Sequence, residues 1–322
     1  MTIGALGYVG FGLETVEGTA VAPTVFLPVS SFNFDNTNDY IIPDQTRGNR
    51  DRSIALPAPF ATSGSMDLEL VPNGIAALLR SAFASAGALV ASSPYSGGGY
   101  EHVFTPGNAS PTFTFEASAA DILIMRYGGV RVNTLEINSA FGEIVTSSWG
   151  LEGTTRAKHT GAVATETFAQ QVPFHFTGAN MLRTGVEVGS IKSFNFSVGN
   201  NIDRVGTLRK TRNWRRSTLG MRDVGLSATI DFEATTEMDL FLAETEFEVN
   251  LHMEGGFVSG TSGPRNTLSI TMPRVRWNSN NLPLAPGDVL EQSVEATILR
   301  PMDGNPILTA RLINNEQTVI GG

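Results

Sequence analysis

The tetrapeptide Ser31-Phe32-Asn33-Phe34 returns 162 residues later as Ser193-Phe194-Asn195-Phe196. In both copies polar and aromatic residues alternate, which is the period-two pattern of a strand with one buried face. We therefore predict a strand at each place, with its phenylalanines turned toward a core. Four residues alone prove little, so the interpretation depends on the sequence that follows each copy.

The segments that follow the two tetrapeptides also match. Loop-like sequence of 26 residues, 35–60, follows the first copy, and a segment of 27 residues, 197–223, follows the second. Each segment leads into a predicted strand, 64–70 or 228–234, in which apolar and acidic residues alternate. The spacing agrees within two residues, which favours two copies of one plan.

A short helix is predicted after each of these strands, at 75–83 and at 235–242. In the first, apolar residues recur three and four positions apart, as on one helix face. In the second, Thr235 or Thr236 can cap the N-terminus, and acidic residues occupy the first turn. Each helix is expected to pack on its own sheet.

The two halves also end alike. Val130-Arg131-Val132 and Val275-Arg276-Trp277 each lead to a glycine and a further predicted strand, 143–152 or 288–299. Asp303-Gly304 predicts a final hairpin between the last of these strands and 307–313.

The chain is therefore interpreted as two tandem β-sandwich domains, each with a short flanking α-helix. We place the first domain, with an N-terminal arm, at 1–160 and the second at 161–322, joined across 156–171, which is rich in Thr, Ala and Gly. The fold class is mainly β, as the abundance of Gly and Pro also suggests.

Charge and composition exclude several functions. The formal net charge is -9, so the field of the whole molecule repels nucleic acid and disfavours ordinary DNA binding. The chain has no cysteine, which excludes disulfides, thiolate metal sites and cysteine nucleophiles. No run of 18 apolar residues predicts a membrane span, and the Gly-rich start lacks a basic signal-peptide region, so folding in the cytosol is expected.

Catalytic and metal-binding patterns are missing. No nucleophile elbow, phosphate-binding loop or zinc-protease motif occurs, and the four histidines are scattered. Asp35 to Asp39 begin like a calcium loop, but Tyr40 stands where glycine is needed and Thr46 where a bidentate acid is needed. We predict no cofactor, no metal and no enzymatic activity.

Four acids lie on the predicted polar face of the duplicated strand, namely Asp67 and Glu69 in the first copy and Asp231 and Glu233 in the second. Residues two apart in a strand share a face, and these acids lie opposite the apolar residues of the same strands. Such pairs occur in glycoside hydrolases, but here they indicate a solvated face. That face is either plain surface or the lining of something polar.

Seven basic residues crowd into 204–222, almost a third of the chain's total: Arg204, Arg209, Lys210, Arg212, Arg215, Arg216 and Arg222. With Trp214 among them they could bind nucleic acid, or they could form a solvated loop. A third interpretation is a contact between subunits with the eight acids of 231–254 on a neighbouring copy. We favour the third, because a DNA-adhesive arm fits poorly with an acidic chain.

Several stretches of the chain share one further pattern: Glu14 to Thr19, Tyr127 to Ile137, Gly142 to Val145, Gly150 to Gly153, Leu268 to Val275, Gly287 to Val289 and the last hairpin. Together they resemble the tail tube proteins of long-tailed bacteriophages. The resemblance covers most of the chain but rests on pattern, not on an exact signature. It implies β-sandwich units with a flanking helix, assembled into stacked rings whose inner wall is a continuous β-barrel, and it implies no catalytic residues.

Barrel geometry makes a duplicated subunit reasonable. A bore roughly 20 Å wide needs a barrel some 40 Å across, or on the order of 24 strands spaced about 4.8 Å and tilted about 40°. Six four-stranded units would suffice, so three chains with two units each would close a pseudo-six-fold ring. In that ring the four acids are candidates for the lumen, and the seven bases for the contact between rings.

The expected partners follow from this interpretation. They are further copies of the chain, other tail proteins such as the tape measure and the tail terminator, and double-stranded DNA that passes without specific binding; no membrane is expected. The protein would be assembled in the host cytoplasm and reside in the virion tail, non-contractile by default. The alternatives are a β-sandwich surface-binding module, such as an adhesin or capsid decoration protein, and a polysaccharide-cleaving enzyme.

Overall fold

The computed structural model describes residues 7–35, 37–45, 48, 50–60, 62–85, 93–95, 98–120, 122–168, 171–284 and 289–317. Strand accounts for 51% of the chain, which confirms the predicted mainly β class. The two described α-helices are α1 (Ala76–Ala82) and α2 (Thr236–Leu242), close to where the sequence predicts them.

The described strands are numbered in chain order. Those of the first half are β1 (Tyr8–Leu13), β2 (Val25–Phe26), β3 (Ser31–Phe34), β4 (Asn38–Ile41), β5 (Leu56–Phe60), β6 (Ser63–Glu69), β7 (Ser93–Pro94), β8 (Tyr100–Phe104), β9 (Phe113–Ala119), β10 (Leu123–Ala140), β11 (Thr146–Glu152) and β12 (Thr155–His159). Those of the second half are β13 (Ala179–Arg183), β14 (Val186–Glu187), β15 (Ile191–Gly199), β16 (Asp203–Val205), β17 (Arg216–Thr218), β18 (Asp223–Asp231), β19 (Phe247–Phe257), β20 (Arg265–Asn281), β21 (Glu291–Ile298) and β22 (Thr309–Asn314).

Eight antiparallel strands from both halves form one continuous sheet, here called the main sheet. Its order is β3-β6-β11-β10-β15-β18-β21-β20. The junction between the halves is the pairing of β10 with β15. Among the described residues, β3 and the second part of β20 are the two end strands of this sheet.

The long strands β10 and β20 each belong to two sheets. Strand β10 enters the main sheet at Arg131 and β20 enters it at Val275; soon afterwards each has a bulge, between Val132 and Thr134 and between Trp277 and Ser279. The first part of β10 joins the smaller sheet β2-β1-β9-β10-β12, and that of β20 joins β14-β13-β19-β20-β22-β8-β7. Each smaller sheet packs on the main sheet.

One apolar core runs between these layers. It includes Met66, Leu68 and Trp149 in the first half and Phe196 and Ile230 in the second, all at most 1% exposed. Helix α1 lies in the core against β10, and α2 lies against β20. Because β8, from the first half, pairs with β22, from the second, the halves interlock at more than their main-sheet junction.

The order of strand pairing repeats in the two halves, but the register corrects the sequence alignment. Ser31 lies opposite Asp67, and Ser193 lies opposite Thr229. Thr229 therefore matches Asp67, and Asp231 matches Glu69. Matching the acidic residues of the two sequences instead pairs Asp67 with Asp231. That alignment is wrong by two residues, because equivalent positions are set by strand pairing and not by residue type.

Other expectations also need correction. The segments 35–60 and 197–223 are not loops throughout, since they contain the small two-stranded sheets β4-β5 and β16-β17. The final hairpin at Asp303-Gly304 was wrong: β21 and β22 do not pair with each other but lie end to end along β20. The predicted linker 156–171 begins inside β12. The boundary between residues 160 and 161 remains a prediction.

Candidate functional site

The main sheet has one apolar face and one polar face. Along its strands buried and accessible residues alternate, so every second side chain leaves the core. The polar face is rich in small hydroxyl and amide side chains: Ser31, Asn33, Ser65, Thr134, Asn138, Thr146, Ser148, Asn195, Ser197, Ser227, Thr229, Ser279 and Ser293. This face spans both halves without interruption.

Three of the four acids predicted for a polar lining lie on this face. Asp67 and Glu69 are on β6, and Asp231 is the last residue of β18. Glu233 does not continue the alternation, because β18 ends at Asp231 and the Glu233 amide donates to the Asp231 carbonyl at 3.0 Å in a tight turn. Glu233 lies beyond the strand end, and Phe232 is only partly buried.

The Asp67 carboxylate is held by two hydroxyl groups. Ser31 Oγ and Ser148 Oγ each donate to it at 2.6 Å, one from β3 and one from β11. The Ser148 bond and then the Ser31 bond lower the pKa of Asp67 below its usual value, since both stabilise the charged form. A negative charge therefore persists at this position to lower pH than on an ordinary aspartate.

Sequence reasoning missed five further acids of the polar face: Glu136 on β10, Glu152 on β11, Asp223 on β18, and Glu291 and Glu295 on β21. Lys192 Nζ lies 2.6 Å from Glu291 Oε1 and 3.5 Å from Asp231 Oδ1. The Glu291 bond is the main cause that raises the pKa of Lys192. Strict alternation from the buried Val130 and Val132 would place Glu136 on the buried face. The bulge at Asn133 shifts the alternation by one residue and places Glu136 on the polar face, and the sequence does not reveal that bulge.

The basic segment 204–222 is not a free loop, because part of it docks on the first half of the chain. Arg204 Nη1 donates to Thr62 Oγ1 at 2.9 Å, and Arg212 Nε donates to the Ala58 carbonyl at 2.7 Å. Arg222 Nη2 donates to the Gly107 carbonyl at 2.6 Å. These three bases serve the junction between the halves.

Trp214 anchors the same segment. Its Nε1 donates to the Phe60 carbonyl at 2.9 Å, and the Arg204 guanidinium lies 5.3 Å from its ring centroid. Such a contact between a cation and an aromatic face is attractive. Nearby, Glu17 Oε1 accepts the Ser217 amide at 2.7 Å.

The remaining four bases, Arg209, Lys210, Arg215 and Arg216, are exposed. Arg209 donates to the Trp214 carbonyl at 3.1 Å, within the segment itself. Within the described part of the chain, the side chains of Lys210, Arg215 and Arg216 have no acidic partner. Of the seven predicted contact residues, these three are the most available to another molecule.

The eight acids of 231–254 are largely occupied by other bases. Five of them form ion pairs inside the chain: Asp231 with Lys192, Glu237 with Arg183, Glu244 with Arg276, Glu246 with Arg274 and Glu254 with Arg265. Glu237 is also buried and accepts Trp277 Nε1 at 2.8 Å. It therefore stabilises the packing of α2 on β20 and is not a free surface charge.

An exposed apolar hairpin, β4-β5 with the flanking Ile42 and Ile54, lies at the same end of the main sheet as the basic segment. Tyr40, Ile41, Ile42, Ile54 and Leu56 are each 43–58% exposed. A cluster of apolar side chains in water is typical of an interaction surface. In sequence this stretch is loop-like, and no pattern in it predicts an exposed apolar hairpin.

No binding chemistry of another kind is evident in the described residues. None of their His, Asp and Glu side chains form a group of three or more that could hold a metal ion. Thr46, the last position of the calcium-loop comparison, lies outside the described residues, as do residues 285–288, which include Gly287 and Asp288 of the family resemblance. No helix in the described part of the chain is long and apolar enough to cross a membrane.

Comparison with known proteins identifies the family. The family model described as phage tail tube protein matches residues 4–298 of the chain. A comparison with curated proteins returned no match. The family is one of structural virion components and is not an enzyme class.

Proposed function

This chain belongs to the phage tail tube protein family, a structural component of the phage tail, and on that premise we propose how it builds the tube. Three copies close a pseudo-six-fold ring, and rings stack into a conduit through which DNA is ejected. Each chain supplies two related sandwich units, approximately 1–160 and 161–322, that arose by duplication. The tape measure and tail terminator proteins are the expected further partners in the tail.

The main sheet is the observation that carries this proposal. It has eight antiparallel strands with one apolar and one polar face. A barrel wide enough for double-stranded DNA needs about 24 strands. Three such sheets, joined at their end strands, supply that number, and closure removes the open edges on which sheets aggregate.

In this arrangement the polar face lines the bore. It carries eight carboxylates per chain on its described strands, of which Lys192 pairs with two and Arg204 with one: Asp67, Glu69, Glu136, Glu152, Asp223, Asp231, Glu291 and Glu295. Glu233 would lie at the rim, beyond the strand end. DNA meets few fixed cations there, so the counterion-releasing contacts that make binding strong are scarce. Transport is then passive sliding past an acidic wall.

Stacking of rings would use the two ends of the main sheet. Strand β18 starts at Asp223, beside the basic segment, and ends at Asp231, beside Glu233 and Glu291. Nine residues of strand separate these ends by roughly 25 Å, so they cannot meet within one chain. In a head-to-tail stack they face each other. The exposed Lys210, Arg215 and Arg216, with the apolar hairpin β4-β5, are the proposed inter-ring contacts; Arg204, Arg209, Arg212 and Arg222 would position that segment.

Charge reversal of the basic segment tests both the tube and its stacking. The wild-type protein at micromolar concentration should form tubes in negative-stain electron microscopy. Arg215→Glu with Arg216→Glu should give single rings, with an unfolding midpoint close to wild type, because exposed charges contribute little to stability.

The control is Arg300→Glu, a base outside the segment whose guanidinium contacts only the turn of 304–305 in the described residues, and it should leave tubes intact. Tubes unchanged by the double reversal would contradict the stacking contact. A wild-type protein that remains monomeric would contradict the proposed function itself.

A further inference from the structure

The junction between the two halves, where β10 pairs with β15, shows in full how the four main-sheet strands of one half pair with those of the next. The Phe141 amide donates to the Lys192 carbonyl at 2.9 Å, and β10 pairs with β15 in the register that this bond sets. Hydrogen-bonded pairs alternate along antiparallel strands. Residues 139, 137 and 135 therefore bond to β15, whereas Asn138 and Asn195 form a non-hydrogen-bonded pair whose side chains meet.

Two asparagines close this junction. The Asn200 amide donates to the Asn133 carbonyl at 2.8 Å, and Asn200 Nδ2 donates to the carbonyls of Val132 and Ala82 at 3.0 and 2.8 Å. Asn133 in turn accepts the Ile202 amide through Oδ1 at 2.8 Å. Asn133 lies at the β10 bulge, so the bulge and the two asparagines together close the junction.

The two ends of the main sheet carry the same residues in matching places, counting past β3 to Asn38, the first residue of β4. Strand β3 matches β15 with an offset of 162, and β20 matches β10 with an offset of 145, as their pairings with β6, β18, β11 and β21 establish. Asn38 then matches Asn200, and Asn278 at the β20 bulge matches Asn133. The asparagine pair that closes the internal junction is thus repeated at the two ends, where one chain cannot bring it together.

The main chain of β3 is oriented to accept another strand. The Asp35 amide donates to the Ser63 carbonyl at 2.7 Å, so residues 35, 33 and 31 bond to β6. By alternation, the backbone N–H and C=O groups of Phe32 and Phe34 point to the open edge. Beside this edge lies a groove of about 830 Å³, lined by Phe32, Phe34, Met125, Leu123 and Phe168 among others.

The end of β20 has the complementary features. Leu284 is 78% exposed, Val289 is 68% exposed and Leu290 is 38% exposed. Both amide atoms of Asn280 are shielded from solvent, yet no described residue hydrogen bonds to either. Such a group costs free energy unless a partner is supplied.

We propose that the end of β20 in one copy of the chain docks on β3 of a second copy in the register of the internal junction. This rests on the proposed ring and specifies its contact. Leu282 pairs with the partner's Phe34, Leu284 pairs with the partner's Phe32, and Asn278 meets the partner's Asn38. The exposed leucines and Val289 fill the groove beside β3.

The register also accommodates the proline in this segment. Pro283 matches Asn138, which belongs to a non-hydrogen-bonded pair with β15. Proline has no backbone N–H to donate, and a residue at a non-hydrogen-bonded position donates none to the partner's β3. A slip of one residue would place Pro283 at a hydrogen-bonded position and turn the leucines away from the groove.

Disulfide cross-linking tests the register, because the chain has no native cysteine. Asn33→Cys with Pro283→Cys places two thiols at a non-hydrogen-bonded pair across the contact, where Cβ atoms lie about 4.5–5.5 Å apart. Under a mild oxidant, rings of this variant should convert to covalent trimers on non-reducing gels. Asp35→Cys with Asn281→Cys probes the next such pair and keeps Pro283, should its replacement impair folding.

Two controls make the result specific. Asn138→Cys with Asn195→Cys should cross-link within one chain, since those residues already face each other. Asn33→Cys with Asn281→Cys is two residues out of register, where diagonal neighbours are about 7–8 Å apart, and should give about tenfold less covalent trimer.

The outcomes separate this inference from the proposed function. Covalent trimers from both in-register pairs support the contact. Rings that form normally while both pairs stay uncross-linked would overturn the register and leave the tube intact. Absence of rings in the wild-type protein would overturn both.

Discussion

Replacing Leu284 and Val289 with aspartate should leave a folded chain that no longer forms rings. The two residues are 78% and 68% exposed in the single chain, so the substitutions remove little that holds it together. Burying a leucine or valine contributes about 1.5–3 kcal/mol. Losing both side chains therefore weakens each contact by about 3 kcal/mol, which is roughly 100-fold in the association constant. Sedimentation velocity should show monomer at concentrations where the wild-type protein is fully assembled.

Met302→Asp is the matched control for this prediction. Met302 is 91% exposed and lies in the connection between β21 and β22, away from the proposed contact. It should assemble like wild type, with an unchanged unfolding midpoint. Normal ring formation by the Leu284 and Val289 double variant would contradict the groove contact.

Reversing the charge of the polar face should turn the conduit into a tube that retains DNA. Glu69→Lys, Glu136→Lys and Glu295→Lys alter three carboxylates that have no ion-pair partner among the described residues. Each lysine that meets a phosphate releases counterions, and log K falls with log salt with a slope of about 0.9 per contact. We expect linear double-stranded DNA to remain with the tubes at 50 mM salt and to be released by about 200 mM.

The control reverses three acids away from the polar face, Glu166, Glu187 and Asp303, all exposed. It adds the same net charge but should not retain DNA inside the tube or slow ejection from phage that carry it. Equal DNA retention by both triple variants would show that retention depends on net charge and not on the position of the lysines on the polar face. That result would contradict the lumen assignment.

The fold was predictable from sequence to the extent that local pattern determines it. The repeated Ser-Phe-Asn-Phe placed β3 and β15, and helix periodicity placed α1 and α2. Register was not predictable in the same way, because it depends on pairing and bulges. The acids of β6 and β18 suggested one alignment, and the hydrogen-bonded strands have another, two residues away.

The candidate site was predictable only in part, for a related reason. The cluster of bases from Arg204 to Arg222 is visible as composition, but composition does not show that Arg204 and Arg212 bond to Thr62 and Ala58 across the junction. The face on which Glu136 lies in the long strand β10 depends on the bulge at Asn133, which the sequence does not show. The exposed hairpin β4-β5 was missed because the long connection between its strands, 42–55, carries no short hairpin signal.

Cryo-electron microscopy of the assembled protein, viewed along the tube axis, tests the central claim most directly. The proposal predicts three chains in each ring, an inner wall of 24 strands with approximate six-fold symmetry, and the face that bears Asp67 and Glu136 turned to the bore. A ring in which the main sheet lies on the outside, or a preparation that contains only separate globular monomers, would contradict it.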